Sequence, residues 1–385
     1  MGKHDHPDDV SYPSGTTFFL VHLSCLAAFW TGVTVQALAL GFALYVFRIF
    51  AIGAGYHRYF AHRAFRTSRI FQYALAFFAQ TSAQRGVLWW AAHHRRHHKY
   101  SDTELDVHSP VLRSFFYAHV GWIFVPRNGP TNHDAIRDFS RYPELRWLDR
   151  YELVPATTLA VATWLIAGWP GLIVGFCWST VCLWHATFSI NSLAHVFGRR
   201  RYVTGDQSRN NWFLAILTMG EGWHNNHHAY QASARQGFRW WEYDPTFYIL
   251  KALSCVGLVW DLQTPPKALV KGEQRLGRHV IEKAAAQLAA SFPINAIASQ
   301  ALATLSRSPT WTELRARALS ARGHAEAFWA EIDLPQLPTL DDVRAYAKAR
   351  LAKTPSLDDI AVCARKRLLE LVYARLVAQV GSGPG

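Results

Sequence analysis

The sequence predicts an all-α integral membrane protein, with four transmembrane helices in two hairpins and a cytosolic helical cap. Two observations predict the membrane part: residues 13–47 and residues 154–195 contain no Asp, Glu, Lys or Arg. A third predicts the cap, because four clusters of histidines lie just beyond or between these uncharged stretches. A water-soluble fold is a much weaker interpretation of two such long uncharged runs.

Each uncharged stretch is long enough for two spans, because about 20 helical residues cross about 30 Å of hydrocarbon. The first hairpin is expected to turn near Thr31-Gly32 and the second near Trp169-Pro170-Gly171, since glycine and proline interrupt helices. One long tilted span for each stretch is the alternative.

Positive charge predicts the orientation in the membrane. The formal net charge is +13, and Arg and Lys are abundant in residues 48–150 and after residue 199 but absent from the two expected turns. Positively charged loops stay cytoplasmic, so we expect a multi-pass protein with both termini and the histidine clusters on the cytoplasmic face. A bacterial inner membrane is favoured over the endoplasmic reticulum. A nucleic-acid partner is not expected, because the charge borders membrane spans, where it meets anionic headgroups.

Composition divides the chain into three parts. Residues 1–13 form a polar segment and residues 14–267 a membrane domain with its cap. After Pro265-Pro266 the sequence becomes rich in Ala, Arg, Leu and Lys. Residues 268–385 are therefore expected to form a string of amphipathic, cytosolic helices, loosely packed and without a catalytic role.

Nine histidines have spacings that suit metal ligation. They are His57 and His62; His94, His97 and His98; His195; and His224, His227 and His228. Neutral imidazole is the commonest protein ligand for transition metals. A structural site is usually closed by four ligands, so nine histidines predict two metal ions.

Helical geometry separates neighbours within the clusters. Adjacent residues diverge by about 100° around a helix, so His97 and His98 should serve different ions, as should His227 and His228. His94 shares a face with either His97 or His98. Residues five apart diverge by about 140°, which places His57 or His62 where a helix ends or bends.

The order and spacing of these clusters resemble those of the membrane fatty acyl desaturases, most closely the Δ9 branch that includes stearoyl-CoA desaturase. The likeness covers residues 14–267 and extends to the sequence segments beside the histidines. These segments include His97-His98-Lys99-Tyr100-Ser101-Asp102, Ala118-His119-Val120-Gly121-Trp122, Asn191-Ser192-Leu193-Ala194-His195 and Gly220-Glu221-Gly222-Trp223-His224.

The resemblance implies an enzyme that uses dioxygen and two irons to insert a cis double bond into a saturated long-chain acyl group, between its ninth and tenth carbons. Such chemistry needs a redox cofactor, since no side chain can supply it. By resemblance, one iron would be held by His57, His62, His98 and His228, with Asn191 reaching it through a water. The other would be held by His94, His97, His195, His224 and His227.

Further residues have expected roles around this di-iron site. Carboxylates commonly orient metal-bound imidazoles, and the candidates are Asp102, Asp106, Asp206 and Glu221. His93 is expected not to bind metal. His108 and His119 are expected to be polar neighbours of the site, and His22 and His185 hydrogen-bonded packing residues.

The acyl carrier stays open between CoA and a phospholipid. Animal acyl-CoA enzymes carry an Arg-Asp pair just before the second cluster, where this chain has Ala92-His93. Arg85 and Arg127 are the candidates for binding a substrate headgroup. Since the sequence has no haem-binding His-Pro-Gly-Gly and no ferredoxin-type cysteine run, electrons are expected from an external ferredoxin- or cytochrome-type protein with its reductase.

Two other functions compete with desaturation. A membrane di-iron hydroxylase or other oxygenase, acting on a lipid or hydrocarbon, would use the same type of site. A metal transporter or storage protein would instead carry polar ligands within its spans, whereas the histidine clusters here lie at or beyond the ends of the uncharged stretches.

Overall fold

The computed structural model describes residues 15–381 except 309, 311, 314–315, 317–324, 331–333 and 335–336. The protein is mostly helical and folds as two compact units. The first comprises Met1–Arg200 with Gln207–Pro266, and the second comprises Arg201–Asp206 with Lys267–Gly385. The polar segment expected at residues 1–13 lies outside the described residues.

The first unit is built from α-helices with short 3₁₀ and π segments. Its α-helices are Thr16–Ser24, Ala28–Thr31, Val35–Ala51, Arg69–Gln80, Val87–Tyr100, Phe115–His119, Arg137–Ser140, Pro143–Arg150, Val154–Pro170, Ser179–Ser192, Trp212–Leu217, His224–Ala229 and Pro245–Cys255. The 3₁₀ segments are Cys25–Ala27, Gly121–Phe124, Pro126–Asn128, His133–Ile136 and Leu193–His195, and the π segments are Ile52–Ala61 and Gly171–Trp178. Arg66–Thr67 pairs antiparallel with Val259–Trp260.

Two helical stretches are long and apolar enough to cross a membrane: Val35–Ala61 and Val154–His195. A shorter apolar helix, Thr16–Thr31, precedes them. The chain turns after it at Gly32, which has a φ of 79°, and Thr34 then caps the next helix by accepting a hydrogen bond from the Ala37 amide. The turn therefore lies where the sequence predicted it.

The second break lies slightly before its predicted place. Ala167 and Gly168 have non-helical dihedrals, with φ of 58° at Gly168. Glycine adopts positive φ without a steric penalty. Pro170 follows as the chain resumes a helical conformation, and proline fits the first turn of a helix because it needs no N–H donor there. The break therefore lies near the predicted Trp169-Pro170-Gly171, with Gly168 as the residue of positive φ.

The second unit has an apolar core of its own. Its helices are Lys267–Lys271, Arg278–Ala290, Ile294–Leu305, Ala325–Ala330, Leu340–Arg350 and Leu357–Gly381. Ile360, Leu368 and Val372 of the last helix are fully buried in this core. The extension is helical as expected, but the expectation of loose packing was wrong, because its Ala and Leu residues form one continuous buried cluster.

Candidate metal centre

The first pair of histidines is brought together by a π-helix. Ile52–Ala61 makes up the last turns of the Val35–Ala61 stretch, and all ten of its residues are buried. A π-helix bonds residue i to i+5, and the His62 amide accordingly donates to the His57 carbonyl at 3.2 Å. The two imidazole rings lie 4.9 Å apart as a result. The helix does end at His62, as expected, but its π winding was not predicted.

The second cluster lies on the helix Val87–Tyr100, whose start is fixed by a carboxylate. Asp149 accepts hydrogen bonds from the amides of Leu88 and Trp89 at 3.0 and 2.9 Å. A negative charge at this end stabilises a helix because it satisfies orphan amides and opposes the helix dipole. Since this anchor sets the register of the helix, it also sets where His94, His97 and His98 face.

The last cluster lies on a short helix, His224–Ala229, held by a buried asparagine. Asn226 donates to Glu242 at 2.8 Å and to the Gln236 carbonyl at 3.0 Å, while its amide N–H donates to Asn210 at 3.0 Å. Six residues are too few to form a stable helix in isolation. The buried polar network therefore positions the three histidines on either side of Asn226.

The histidines converge in two groups. The five-histidine group consists of His57, His62, His94, His98 and His227, and the four-histidine group of His97, His195, His224 and His228. Within each group, the nitrogens that could hold an ion lie within 4.8 Å of one another. In the first group, His98 Nε2 is 2.9 Å from both His94 Nε2 and His227 Nε2. In the second, the Nε2 atoms of His195 and His224 are 3.1 Å apart.

This arrangement differs from the division of the histidines that the resemblance implied. His94 and His227 lie in the group of His57, and His228 lies in the group of His195. Helical spacing allows a partner three or four residues away, and the structure brings His94 together with His98 and His224 together with His228. The separation of His97 from His98, and of His227 from His228, agrees with the geometric argument from the sequence.

Three of the four candidate carboxylates accept hydrogen bonds from the histidines. His57 Nδ1 contacts Glu221, His97 Nδ1 lies 2.9 Å from Asp106, and His195 Nδ1 lies 3.0 Å from Asp102. A carboxylate at Nδ1 fixes the tautomer that leaves a lone pair on Nε2. The fourth candidate, Asp206, accepts a hydrogen bond from Thr204 at 2.7 Å.

A buried ion-pair network behind Glu221 was not predicted. The Arg58 guanidinium contacts Glu221 and Asp244, each at 2.9 Å, and Gln236 donates to Glu221 at 3.0 Å. Gly53 lets Glu221 approach the π-helix, because a Cβ there would lie 2.8 Å from the Glu221 Oε1. The only hint of this network in the sequence is that Arg58 follows the cluster residue His57. The two carboxylates that pair with Arg58 lie more than 160 residues further along the chain, so the sequence alone did not reveal them.

Burial sets the protonation states of the site. It lowers the pKa of His62, His94, His98, His224 and His227 well below the ordinary value, and neighbouring imidazoles lower each further. Burial opposes ionisation of Glu221, but His57 and Arg58 outweigh it and lower the pKa of Glu221 to about 2. These five imidazoles are therefore neutral at pH 7, whereas Glu221 is ionised.

The residues of both groups fit metal ions. Nε2 of His62 and Nε2 of His97 are buried and have no hydrogen-bond partner among the described residues, and buried nitrogens are normally satisfied. In the five-histidine group, His98 Nε2 faces two other Nε2 atoms at 2.9 Å, and a single proton cannot serve both contacts. Nitrogens brought this close to one another could instead share a metal ion, which would accept a lone pair from each of them.

An apolar cavity of about 370 Å³ adjoins the histidines. Aromatic rings line much of it, including Phe18, Trp89, Trp122 and Trp184. His94 and Asn191 also line it, so the cavity reaches the five-histidine group. Pockets of this size and lining bind apolar ligands.

Comparison with known proteins identifies the family. A sequence model of the fatty acid desaturase family matches residues 30–256. The chain belongs to this family. The matched range contains both long apolar helices, Val35–Ala61 and Val154–His195, and all nine cluster histidines. The resemblance to fatty acyl desaturases is therefore confirmed. The desaturase is therefore an oxidoreductase of a family that acts on lipid or acyl-CoA substrates.

Curated relatives of the desaturase act at different positions. It is 36% identical over 259 residues to sn-1 stearoyl-lipid 9-desaturase of Anabaena variabilis, covering 66% of this chain and 94% of that protein. It is 35% identical over 243 residues to sn-2 palmitoyl-lipid 9-desaturase of Nostoc sp. (strain 36), covering 61% and 85%. An acyl-CoA 5-desaturase of Anemone leveillei is 36% identical over 256 residues, covering 64% and 77%.

The two arginines expected to meet a headgroup differ in position. Arg85 lines the cavity of the desaturase. It contacts Glu152 at 3.1 Å, donates to the Gly129 carbonyl at 2.7 Å, and keeps 45% of its side chain exposed. Arg127 is exposed in the turn Pro126–Asn128.

Among the residues that the structure describes, the remaining histidines of the desaturase lie outside both groups. His93 stacks on Trp89, with ring centroids 4.2 Å apart. His108 packs on His97 at 4.3 Å, and burial lowers its pKa to about 3. His22, His185 and His119 hydrogen-bond in series at 3.1 and 3.0 Å, ending at Ser192, which explains how imidazoles are satisfied on apolar helices.

Proposed function

We propose that this desaturase inserts a cis double bond at the Δ9 position of a saturated long-chain acyl group, carried by CoA or by a phospholipid, with two irons and dioxygen. The observation that carries the proposal is the convergence of the nine histidines into two groups, one of which reaches an apolar cavity through His94. The family is iron-dependent, and neutral imidazole is a suitable ligand for iron.

The chain's own residues would bind and orient the metals. The five-histidine group would hold one iron and the four-histidine group the other, with Asn191 on the cavity wall beside them. Bound iron would allow dioxygen, with two electrons from the external donor and two protons, to take two hydrogens from an unactivated methylene pair and leave as two molecules of water. Glu221, Asp106 and Asp102 hold the Nδ1 protons of three ligands, so the facing Nε2 atoms keep their lone pairs.

The cavity would bind the acyl chain and determine which carbons react. Its aromatic walls exclude water and favour a methylene chain, while His94 and Asn191 mark the part closest to the metals. Two relatives are named as 9-desaturases of lipids and one as a 5-desaturase of acyl-CoA. We propose the Δ9 position because two lipid relatives are named for it and because the sequence segments beside the histidine clusters resemble those of the Δ9 branch.

We place the desaturase in the membrane with four spans and with its histidines and both termini in the cytosol. The breaks at Gly32 and Gly168 support two hairpins. Segments rich in Arg and Lys follow each uncharged stretch and contain or adjoin the histidine clusters, and positively charged segments stay cytoplasmic. Electrons would come from an external ferredoxin- or cytochrome-type protein.

Product analysis tests the proposed reaction. Purified desaturase with reduced donor and dioxygen is given saturated palmitoyl-CoA, stearoyl-CoA or intact saturated phospholipid in separate reactions. We expect one carrier to yield a cis product with its double bond at carbon 9, and iron analysis to give two ions per chain. A hydroxylated product without a double bond, or a double bond only at another carbon, contradicts the proposal.

Exchange of Glu221 for glutamine tests how the carboxylates support the metal. Glu221→Gln keeps the shape of the side chain but removes the charge facing His57. We expect iron affinity to fall about 10–100-fold, as is typical when the acceptor of a ligand histidine is lost. Titration of the metal-free protein with Fe²⁺ measures this. Glu144→Gln, which removes a carboxylate paired with the exposed Arg69, should leave the affinity unchanged.

A further inference from the structure

A hairpin of the chain connects the last two histidine clusters. Arg199 and Asn210 pair at its base, with amide-to-carbonyl distances of 2.9 and 2.8 Å. The tip, Arg201–Asp206, folds as part of the second unit, whereas Gln207 and the residues after it return to the first. The second unit therefore includes a loop that comes from the middle of the desaturase sequence.

The tip is held firmly within the second unit. Val203 is only 6% exposed and belongs to the apolar core of that unit. The Gly205 carbonyl accepts a hydrogen bond from Gln287 at 3.0 Å, and the Tyr202 hydroxyl donates to the Val270 carbonyl at 3.3 Å. These contacts combine core burial with polar anchors, so they restrain both position and orientation of the tip.

Gly205 shows how close this packing is. Its φ is +75°, and a Cβ there would lie 2.7 Å from the Cβ of Lys283. Lys283 and Gln287 lie four residues apart on one face of the helix Arg278–Ala290. Only glycine allows the loop to approach this helix face with that backbone conformation.

Gln207, the residue after the tip, contacts a carboxylate that orients one of the candidate metal ligands. The Gln207 amide donates to Asp102 Oδ2 at 2.7 Å, and the same oxygen accepts the hydrogen bond from His195 Nδ1 at 3.0 Å. The other oxygen of Asp102 accepts from Ser109 at 2.7 Å. Asp102 is almost fully buried, with 1% of its side chain exposed, so protein donors, including the Gln207 amide, hold its orientation.

We propose that the C-terminal unit positions His195 for metal binding, by holding the hairpin tip so that Gln207 orients Asp102. This inference rests on the proposed di-iron function. It gives a role to residues 267–385, which lie beyond the family match at residues 30–256. Val203, Gly205 and Gln287 act here as positioning residues, since they reach the metal only through Asp102 and His195.

Two matched pairs of variants in the full-length desaturase test the proposal. Gly205→Ala forces the tip away from Lys283, whereas Gly272→Ala imposes the same backbone strain, at φ +73°, where the nearest atom to the new Cβ is 3.9 Å away. Gln287→Ala removes the hydrogen bond to Gly205, whereas Gln379→Ala removes a comparable one to Ser299, at 3.1 Å. Asp102→Asn serves as the direct comparison.

The measurement is the rate at which each iron passes to a chelator. We expect Gly205→Ala, Gln287→Ala and Asp102→Asn to release one of the two irons about tenfold faster, and the other at the wild-type rate. Gly272→Ala and Gln379→Ala should behave as wild type for both irons. Gln287→Ala is the milder change and keeps the test valid if Gly205→Ala fails to fold.

A double variant separates positioning from general destabilisation. If the hairpin acts through Asp102, Asp102→Asn/Gly205→Ala should release that iron no faster than Asp102→Asn alone, because both changes remove one shared interaction. Additive rates, equal acceleration of both irons, or release rates in Gly205→Ala and Gln287→Ala that match their controls would each overturn the proposal. Wild-type protein with fewer than two irons would instead overturn the proposed function on which it rests.

Discussion

Replacing His98 with alanine is expected to reduce desaturation to the background level and to remove one iron per chain. His98 Nε2 is central in the five-histidine group, 2.9 Å from the Nε2 atoms of both His94 and His227. Without His98, the group would lose the nitrogen that lies between those of His94 and His227, and the remaining histidines would bind the ion more weakly. Product formation from the preferred acyl donor and iron analysis of the purified variant measure the two effects.

His93→Ala is the matched control for this prediction. It removes an imidazole from the same helix, five residues before His98, but one that stacks on Trp89 and lies outside both histidine groups. We expect this variant to keep two irons and to retain turnover. If His98→Ala kept both irons, or if His93→Ala lost one, the assignment of ligands to the five-histidine group would be wrong.

Local sequence features predicted much of the architecture. The uncharged stretches predicted the apolar helices Val35–Ala61 and Val154–His195, because burial in lipid excludes charge over a length that can be counted. Glycine at position 32 marked a turn for an equally local reason, since few other residues adopt positive φ. The divergence of adjacent residues on a helix predicted that His97 and His98 would face different groups.

Features that depend on contacts between distant segments were not predicted. The π winding at His57 lies in a segment whose ten residues are all buried, so its packing partners come from elsewhere in the chain. The grouping of His227 with His57, 170 residues away, depends on how the last short helix is anchored by Asn226. The tip of the hairpin shows no local signal that it belongs to the C-terminal unit.

Arg58→Met is expected to cause the largest loss of stability of any single substitution considered. Arg58 is 1% exposed and contacts two carboxylates, those of Glu221 and Asp244. Methionine fills similar space but leaves both acids buried without a counter-charge. Breaking a buried ion pair by removing one partner costs about 3–5 kcal/mol. We expect the unfolding midpoint in detergent to fall by roughly 5–15 °C.

Arg63→Met provides the comparison that isolates burial from charge. Arg63 lies five residues further along the chain and pairs with Asp138 at 3.3 Å, but 65% of its side chain is exposed. An exposed ion pair contributes about 0–1 kcal/mol, so the midpoint should hardly change. Similar shifts in the two variants would show that the Arg58 network is not the buried support of His57. A large shift for Arg58→Met alone would instead show that the buried carboxylates depend on the charge of Arg58. One of them is Glu221, which pairs with Arg58 on one oxygen and with His57 on the other, so the residue that supports His57 would also be one that stabilises the fold.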